Sequence, residues 1–311
     1  MSDIYDLAIL GGGPAGITAA IYASRARLNT IWIDKNFAPG GQITATYEVD
    51  NYPGMPGISG MDLGEAFGEH ARKLGLEPQR EKILSLENIS GDIKTIRTKK
   101  HEYQAKTLIL AFGAEHRKLD IPGEDDLGGL GVSYCATCDG AFFRGRTVAV
   151  VGGGDVALED AIYLARTCEK VYLIHRRDSL RGAMVLQEEL KSLPNVEILY
   201  DHVVTEICGE DMVEKLRIKN VKTEEEKDLE AAGIFIAVGI HPNTELLQSL
   251  VTVGEDGYIP AGETGETDTP GIYVAGDIRK KPLRQVVTAV ADGANAAVSA
   301  GNYCNRFRKQ S

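Results

Sequence analysis

Two cysteines separated by two residues, Cys135 and Cys138, and the acid that follows them, Asp139, form the stretch best suited to chemistry. Such a pair can close a small disulfide and reopen it. A thiolate at a helix start is stabilised by the backbone N–H groups that it faces. Exchange with a partner disulfide needs an attacking thiolate, a resolving thiol and a proton source, and these three side chains can fill those roles. The stretch therefore predicts a redox-active dithiol.

Two other interpretations of the cysteine pair are less favoured. A zinc site would need a second pair of ligands, and the sequence contains no second CxxC and no HxxxH. A purely stabilising disulfide would gain little from closing so short a loop.

Two glycine-rich turns indicate two dinucleotide-binding sites. They read Gly11-Gly12-Gly13-Pro14-Ala15-Gly16 and Gly152-Gly153-Gly154-Asp155-Val156-Ala157, each between a predicted strand and a predicted helix. The first glycine of such a motif permits a tight turn, the second lets a pyrophosphate approach, and the third allows close packing of helix and strand. The N–H groups at the helix start then favour phosphate. The dithiol precedes the second turn by about a dozen residues.

The residues that end the following strand differ between the two copies. Asp34 ends this strand in the first copy, and its carboxylate can accept a hydrogen bond from a ribose hydroxyl, as in FAD or NAD sites. The second copy ends in His175, Arg176 and Arg177, with Arg181 one turn further on. A cationic cluster without a carboxylate suits a ribose 2′-phosphate and predicts NADP. A solvated basic turn is the less specific alternative.

The order of predicted elements indicates an α/β fold built from one duplicated plan. Apolar strands at 7–10 and 148–151 each lead through a glycine turn into a helix. Both halves later close on another apolar strand, at 108–113 and 234–239. This alternation predicts parallel sheets in two Rossmann-like dinucleotide-binding domains.

A third element is expected to return to the first domain, since the strand ending in Gly276-Asp277 precedes a long helix of small residues from about 285 to 301. We therefore predict one domain of residues 1–115 and 244–311. The other, residues 116–243, is inserted into it through linkers near 118–122 and 240–243.

Composition limits the classes of partner. The net charge of −11 argues against nucleic acid, because phosphate binding requires clustered Lys and Arg. No apolar run approaches the roughly 20 residues that span a bilayer, and the N-terminal residues lack the basic region of a signal peptide. Five cysteines in a long chain do not suggest a secreted disulfide framework, so Cys168, Cys208 and Cys304 are expected to be reduced. We predict a cytoplasmic protein.

With these motifs and four more, nearly the whole chain resembles the low-molecular-weight bacterial-type thioredoxin reductases. The additional motifs are Gly40-Gly41-Gln42-Ile43, Asn51-Tyr52-Pro53-Gly54, His175-Arg176-Arg177-Asp178 with Arg181, and Gly276-Asp277 followed by Leu283-Arg284-Gln285-Val286. The resemblance implies a homodimeric, NADPH-dependent thioredoxin-disulfide reductase. Electrons would pass from NADPH through FAD and the Cys135–Cys138 disulfide to oxidised thioredoxin.

The resemblance also implies individual roles. Cys138 would face the flavin, Cys135 would attack thioredoxin, and Asp139 would protonate the departing thiolate. Because the dithiol and the nicotinamide site share a domain but must both reach one flavin, the second domain would rotate about its linkers. Asp277 would hold a ribityl hydroxyl, and a helix starting at Gln285 would point N–H groups at the flavin O2/N1 edge.

The complete sets of expected cofactor residues follow from the glycine turns and the resemblance together. For FAD they are Gly11, Gly13, Pro14, Ala15, Gly16, Asp34, Gly40, Gly41, Gln42, Thr46, Asn51, Ala111, Gly113, Gly276, Asp277, Arg284, Gln285 and Val286. For NADPH they are Gly152, Gly153, Gly154, Asp155, Val156, Ala157, His175, Arg176, Arg177 and Arg181.

The chain departs from the family pattern at two positions. Phe112 stands where the family usually has Thr beside the flavin, and we expect this aromatic ring to pack against the cofactor. Asp155 stands where Asn is frequent, and a carboxylate there can cap the helix although it lies near a pyrophosphate.

Four alternative functions remain open. A ferredoxin-linked flavin thioredoxin reductase should lack the second glycine turn and the basic strand end, both of which this chain keeps. A reductase of another thioredoxin-like or glutaredoxin-like protein would look the same in sequence. A ferredoxin- or flavodoxin-NADP reductase would need no dithiol. A non-catalytic flavin-binding sensor would have no reason to retain Cys135, Cys138 and Asp139 together.

Overall fold

Strands and helices alternate along the chain in a computed structural model, which describes residues 4–46, 49, 51–248 and 250–308. The strands are β1 (Ile4–Leu10), β2 (Thr30–Asp34), β3 (Gln79–Arg80), β4 (Ile83–Glu87), β5 (Lys94–Thr98), β6 (Glu102–Leu110), β7 (Ala114–His116), β8 (Val132–Ser133), β9 (Thr147–Gly152), β10 (Lys170–His175), β11 (Val196–Tyr200), β12 (His202–Cys208), β13 (Lys215–Asn220), β14 (Glu226–Glu230), β15 (Gly233–Ala237), β16 (Ile240–Pro242) and β17 (Ile272–Val274). The α-helices are α1 (Pro14–Arg25), α2 (Gly60–Lys73), α3 (Ala136–Asp139), α4 (Asp155–Ala165), α5 (Met184–Ser192) and α6 (Val286–Arg308), and 3₁₀ turns cover Gly41–Ala45 and Gly140–Phe143.

The chain divides into two compact units. Unit 1 comprises residues 1–44, 58–115 and 241–311, and unit 2 comprises residues 45–57 and 116–240. The segment 45–57, which the sequence analysis assigned to the first domain, therefore groups with unit 2.

Unit 1 is built on a seven-stranded sheet in the order β3-β2-β1-β6-β5-β4, with β17 also paired to β6. The strands β3, β2, β1, β6 and β17 are parallel to one another. The pairings of β6 with β5 and of β5 with β4 are antiparallel. Alternate residues of β1 face opposite sides of the sheet. Leu7 and Ile9 pack with α1, α2 and α6, and Ala8 and Leu10 pack on the other face with β4 and the 247–259 region.

Unit 2 repeats this arrangement around β9. Its main sheet is entirely parallel in the order β11-β10-β9-β15-β8, and a separate antiparallel sheet contains β12, β13 and β14. The predicted α/β fold with parallel sheets is confirmed, and the central strands β1 and β9 have matching neighbours. The third returning element is also present, as β17 and α6.

The two passages of the chain between the units form a small sheet of their own, in which β7 pairs with β16. Two backbone hydrogen bonds flank this pairing: Arg117 N–H donates to the Gly239 carbonyl at 3.0 Å, and Asn243 N–H donates to the Gly113 carbonyl at 3.1 Å. Within the described ranges, none of the helices has both the length and the apolar character needed to cross a membrane.

Candidate functional site

The dithiol lies at the start of α3 in unit 2 and is closed as a disulfide. The Cα atoms of Cys135 and Cys138 are 5.3 Å apart. Cys135 is the N-cap residue of this single helical turn, and its carbonyl accepts the N–H groups of Cys138 at 3.2 Å and Asp139 at 3.1 Å. The predicted helix-start position of the dithiol is therefore confirmed. The strand that delivers it, β8, pairs in parallel with β15 at the edge of the main sheet.

Asp139 lies next to the dithiol as a half-buried residue. Burial raises its pKa to about 6, and a hydrogen bond from the Ser133 hydroxyl to Oδ2 opposes this increase. Oδ1 is also buried, and no described residue donates to it. A group with a pKa close to neutrality and one unpartnered oxygen is suited to proton transfer. Ser133 was missed by the sequence analysis, since a serine at the end of a short strand carries no distinctive signal.

The first glycine turn connects β1 to α1. Gly11 has a φ of +125°, and a Cβ at this position would lie 2.1 Å from the Ala111 carbonyl oxygen, so only glycine fits. Gly13 is the N-cap of α1 and Pro14 is its first residue, an arrangement that leaves the helix N-terminus free of side-chain caps. Gly16 lies so close to the Gly11 carbonyl that an added Cβ would be 2.0 Å from its oxygen. These contacts agree with the expected tight turn and close helix–strand packing.

Asp34 lies directly behind this turn at the end of β2. Its residue is 6 % exposed, and Oδ2 has no hydrogen-bond donor among the described residues. The nearest cation is Arg80, with Nη1 at 3.7 Å from Oδ2. Burial raises the pKa of Asp34, although the Asn36 backbone N–H and Arg80 act in the opposite direction. A buried, unpartnered acceptor at the carboxyl end of a parallel strand fits a ribose hydroxyl.

A second turn of unit 1 meets the first. Gly40 N–H donates to the Gly12 carbonyl at 3.0 Å, and a Cβ on Gly41 would lie 3.1 Å from the Cα of Gly13. Gly41 and Gln42 begin the 3₁₀ turn. Two other expected FAD residues, Thr46 and Asn51, belong to segment 45–57 of unit 2.

The strand β17 ends at a buried charged cluster that the sequence analysis did not find. Asp292 on α6 accepts the Gly276 N–H at 3.0 Å, Arg279 Nη2 at 2.7 Å and Lys281 Nζ at 3.0 Å. Lys281 also lies 3.5 Å from Asp277 Oδ1, which is buried and makes no hydrogen bond to a described residue. Burial raises the pKa of Asp277, and Lys281 is the strongest opposing influence. The cluster fixes the turn that presents Asp277.

The start of α6 differs slightly from the expectation. The helix begins at Val286, and the Gln285 N–H donates to Thr288 Oγ1 at 3.1 Å. The Gln285 N–H is therefore already used by a side chain of the helix. The Arg284 guanidinium stacks on Tyr258, with Cζ at 3.9 Å from the ring centroid, and its buried Nε has no acceptor among the described residues.

Two expected FAD residues, Ala111 and Gly113, flank Phe112 just after β6. Ala111 is buried against the first glycine turn, and Gly113 has a φ of +70° with open space beside it. The Phe112 ring packs against the apolar core on the β4 side of the unit 1 sheet. The ring is therefore held in part by the protein core, and its packing against a cofactor stays a prediction.

The second glycine turn connects β9 to α4 and lies on His175. A Cβ on Gly153 would be 2.3 Å from the His175 ring, which is 4 % exposed. Burial lowers the pKa of His175, so this ring is neutral at pH 7. Its Nε2 is buried with no hydrogen-bond partner in the described part of the chain. His175 therefore lies beneath the turn as a desolvated ring, and positive charge at this strand end comes from the arginines.

The three arginines remain available at the end of β10. Arg176, Arg177 and Arg181 are exposed, and none of them forms an ion pair with a described residue. The N–H groups of Arg181 and Gly182 donate to the Gly153 carbonyl at 2.7 and 3.1 Å. The loop that carries Arg181 is thereby bound to the glycine turn.

Asp155 adds a further bond to this loop. Gly154 is the N-cap of α4, and Asp155 is the first helical residue. Asp155 Oδ1 accepts the Ala183 N–H at 2.7 Å, so the carboxylate anchors the loop and does not cap its own helix. Val156 is 57 % exposed, whereas Ala157 is buried against Gly152 in the place of a third glycine. Across the described residues, no group of three or more His, Cys, Asp or Glu is arranged to hold a metal ion.

Comparison with known proteins agrees with this geometry. Residues 5–293 match the family model described as pyridine nucleotide-disulphide oxidoreductase. The thioredoxin reductase of Bacillus subtilis (strain 168) is 44% identical over 308 residues, covering 98% of this chain and 96% of that protein. The crystal structure of thioredoxin reductase from Streptococcus pyogenes MGAS5005 is 43% identical, covers 99% of this chain and 100% of its own, and has a TM-score of 0.94.

A more distant solved structure represents the ferredoxin-linked alternative function. A ferredoxin-flavin thioredoxin reductase from Clostridium acetobutylicum is 34% identical, covers 99% of this chain and 100% of its own, and has a TM-score of 0.53. Taken together, the comparisons confirm the resemblance to bacterial thioredoxin reductases, a family whose members contain FAD and depend on NADPH.

Proposed function

Since the chain belongs to the pyridine nucleotide-disulphide oxidoreductase family, we propose that it reduces the disulfide of thioredoxin with electrons from NADPH. The observation that carries the proposal is the Cys135–Cys138 disulfide with the half-buried Asp139 beside it. This dithiol turn lies in the same unit as the second glycine turn and the three unpaired arginines.

Unit 1 would hold FAD. The buried Asp34 and the half-buried Asp277 each offer an oxygen that makes no hydrogen bond to the described residues, as a ligand rich in hydroxyl groups requires. The uncapped start of α1 suits the pyrophosphate. When bound, FAD supplies two-electron transfer between the nicotinamide and the disulfide. The homodimer, the rotation of the second domain and the roles of Thr46 and Asn51 stay predictions from the resemblance.

Unit 2 would hold NADPH. Arg176, Arg177 and Arg181 provide charge-assisted hydrogen bonds for a ribose 2′-phosphate, since no described carboxylate occupies them. The neutral His175 would support the glycine turn from below. Preference for NADPH over NADH would therefore come from the arginines alone.

Thiol exchange follows from the dithiol and its acid. The Cys135 thiolate would attack the thioredoxin disulfide, forming a mixed disulfide and releasing one thioredoxin thiolate, which Asp139 protonates. Asp139 would recover a proton from the Cys138 thiol, and the Cys138 thiolate would then attack Cys135. The second thioredoxin thiolate leaves and takes up that proton. Two electrons thus leave the enzyme dithiol, and two protons, one first held by Asp139 and one by Cys138, pass to thioredoxin.

The flavin absorbance of the anaerobic holoenzyme tests this proposal. We expect rapid bleaching with NADPH and much slower bleaching with NADH, followed by recovery of absorbance when oxidised thioredoxin is added. Absence of bleaching by NADPH would favour the ferredoxin-linked alternative. Bleaching without recovery would indicate that another thioredoxin-like or glutaredoxin-like disulfide is the substrate.

A further inference from the structure

The Ser133 hydroxyl connects the two ends of the dithiol turn. It donates a hydrogen bond to Asp139 Oδ2, and it accepts the Cys135 N–H at 3.0 Å. Ser133 is 5 % exposed, and both bonds are part-buried because Cys135 and Asp139 are half-buried. A buried hydroxyl costs free energy unless it is hydrogen-bonded, and here its two strongest bonds both go to the redox turn.

The backbone holds Ser133 in place. It is the last residue of β8, and it lies opposite Phe235 of β15 in a parallel register. Phe235 is fully buried, and Val132, the neighbour of Ser133, is 3 % exposed. The hydroxyl therefore projects from a strand that is fixed to the main sheet, whereas Asp139 lies at the end of a single helical turn.

The two oxygens of Asp139 are thereby made different. Oδ2 is occupied by the Ser133 O–H, whereas Oδ1 is buried and receives no hydrogen bond from the described residues. Because Oδ2 already accepts a hydrogen bond from the Ser133 O–H, the acidic proton of the neutral carboxyl group belongs on Oδ1. Oδ1 is therefore the oxygen that can donate this proton to a thiolate.

We propose that Ser133 is a positioning residue for the reduction of thioredoxin, an inference that rests on the function proposed above. It orients the Asp139 carboxyl group so that Oδ1 delivers a proton to the thiolate that leaves thioredoxin. It also fixes the Cys135 N–H, and with it the backbone of the attacking cysteine. Without the hydroxyl, the carboxyl group loses the bond that orients it, so the step should slow about tenfold.

A double-mutant cycle tests this role. The variants are Ser133→Ala, Asp139→Asn and the combination of both, and the holoenzymes are first reduced with NADPH. Rapid mixing with oxidised thioredoxin gives the rate of thioredoxin reduction, and flavin bleaching by NADPH gives the other half-reaction. We expect Ser133→Ala to slow thioredoxin reduction about tenfold in the native background. In the Asp139→Asn background it should have little further effect, because the two residues act as one unit.

Two controls separate positioning from folding. Ser133→Thr and Ser133→Val have side chains of nearly equal shape that differ in the hydroxyl, so Thr should retain the native rate and Val should reproduce the loss even if the Ala variant folds poorly. Ser24→Ala removes another serine hydroxyl, which donates to the Leu74 carbonyl at 3.0 Å in unit 1, and should leave both half-reactions unchanged.

The outcomes distinguish the two proposals. If the native enzyme does not reduce thioredoxin, the proposed function is wrong. If it does, but Val matches Thr or Ser133→Ala slows the reaction equally with and without Asp139, the positioning role of Ser133 is wrong. Slowing of flavin bleaching by the same factor would also contradict it, because that half-reaction does not use the thioredoxin thiolate.

Discussion

The two glycine turns pack on the end of a neighbouring strand in the same way, but the side chain beneath them differs. A Cβ on Gly12 would collide with Asp34 at 2.2 Å, and a Cβ on Gly153 would collide with His175 at 2.3 Å. Asp34 is a buried acid with a raised pKa, and His175 is a buried base with a lowered pKa. Asp34 supports its turn and offers an acceptor oxygen, whereas His175 supports its turn and the exposed groups at that strand end are arginines. The duplicated fold therefore repeats the glycine turn, and the residues at the strand end distinguish the two copies.

The largest expected effect comes from a feature that only unit 2 possesses. Replacement of Cys135 by Ser should abolish thioredoxin reduction, because no attacking thiolate remains, while flavin bleaching by NADPH persists. Anaerobic rapid mixing measures both half-reactions. Cys208→Ser, a change at a partly exposed free thiol of the same unit, is the matched control and should behave as the native enzyme. Normal turnover of the Cys135 variant would reject the assignment of the attacking cysteine.

The arginines at the second strand end should give the next largest effect. Arg176→Ala combined with Arg177→Ala should raise the KM for NADPH about tenfold or more per lost contact and leave the KM for NADH nearly unchanged. Steady-state kinetics with both nucleotides measures the change in preference. Arg166→Ala, an exposed arginine at the opposite end of α4, should have no effect. An unchanged preference in the double variant would remove the basis for a 2′-phosphate site.

Asp34→Asn tests the end of β2 in unit 1. This change should stabilise the apoprotein but weaken FAD binding. The raised pKa means that the folded state holds its proton more tightly than the unfolded state, so stability falls as pH rises through this pKa. Removal of the charge should therefore raise the melting temperature of the apoprotein at pH 7. FAD should dissociate several-fold to tenfold more readily, because a neutral acceptor replaces a charged one. Weaker FAD binding together with a less stable apoprotein would indicate that Asp34 is mainly structural.

The smallest effects should come from adjacent glycines in the second turn. Gly153→Ala forces a Cβ against His175, and such overpacking costs about 1–3 kcal/mol, so the melting temperature should fall. Gly154→Ala meets no atom within 4 Å, so the apoprotein should keep its melting temperature. It should nevertheless raise the KM for NADPH if the pyrophosphate approaches this residue. Equal melting temperatures for both variants would contradict the packing of the turn on His175.

The sequence predicted the duplicated sheets and both glycine turns because their signals are local: an apolar strand, a tight turn and a helix start. Recognition of the dithiol was equally direct. The burial of His175 could not be predicted, since it depends on a turn that lies 22 residues earlier in the chain. Ser133 and Asp292 were missed for the same reason. Their roles arise from hydrogen bonds to Asp139, Gly276 and Lys281 that only the folded chain brings together.

The pairing of β7 with β16 has a consequence for how such a protein could have been assembled. The chain leaves unit 1 and returns to it on adjacent strands, which lie about 5 Å apart in any sheet. A segment whose two ends are neighbours can be added to a loop of a host fold with little disturbance to that host. The region between 116 and 240, the larger part of unit 2, therefore has the form of an inserted segment whose two ends meet. A single insertion at one loop would be sufficient to add the second glycine turn and the dithiol to a host fold.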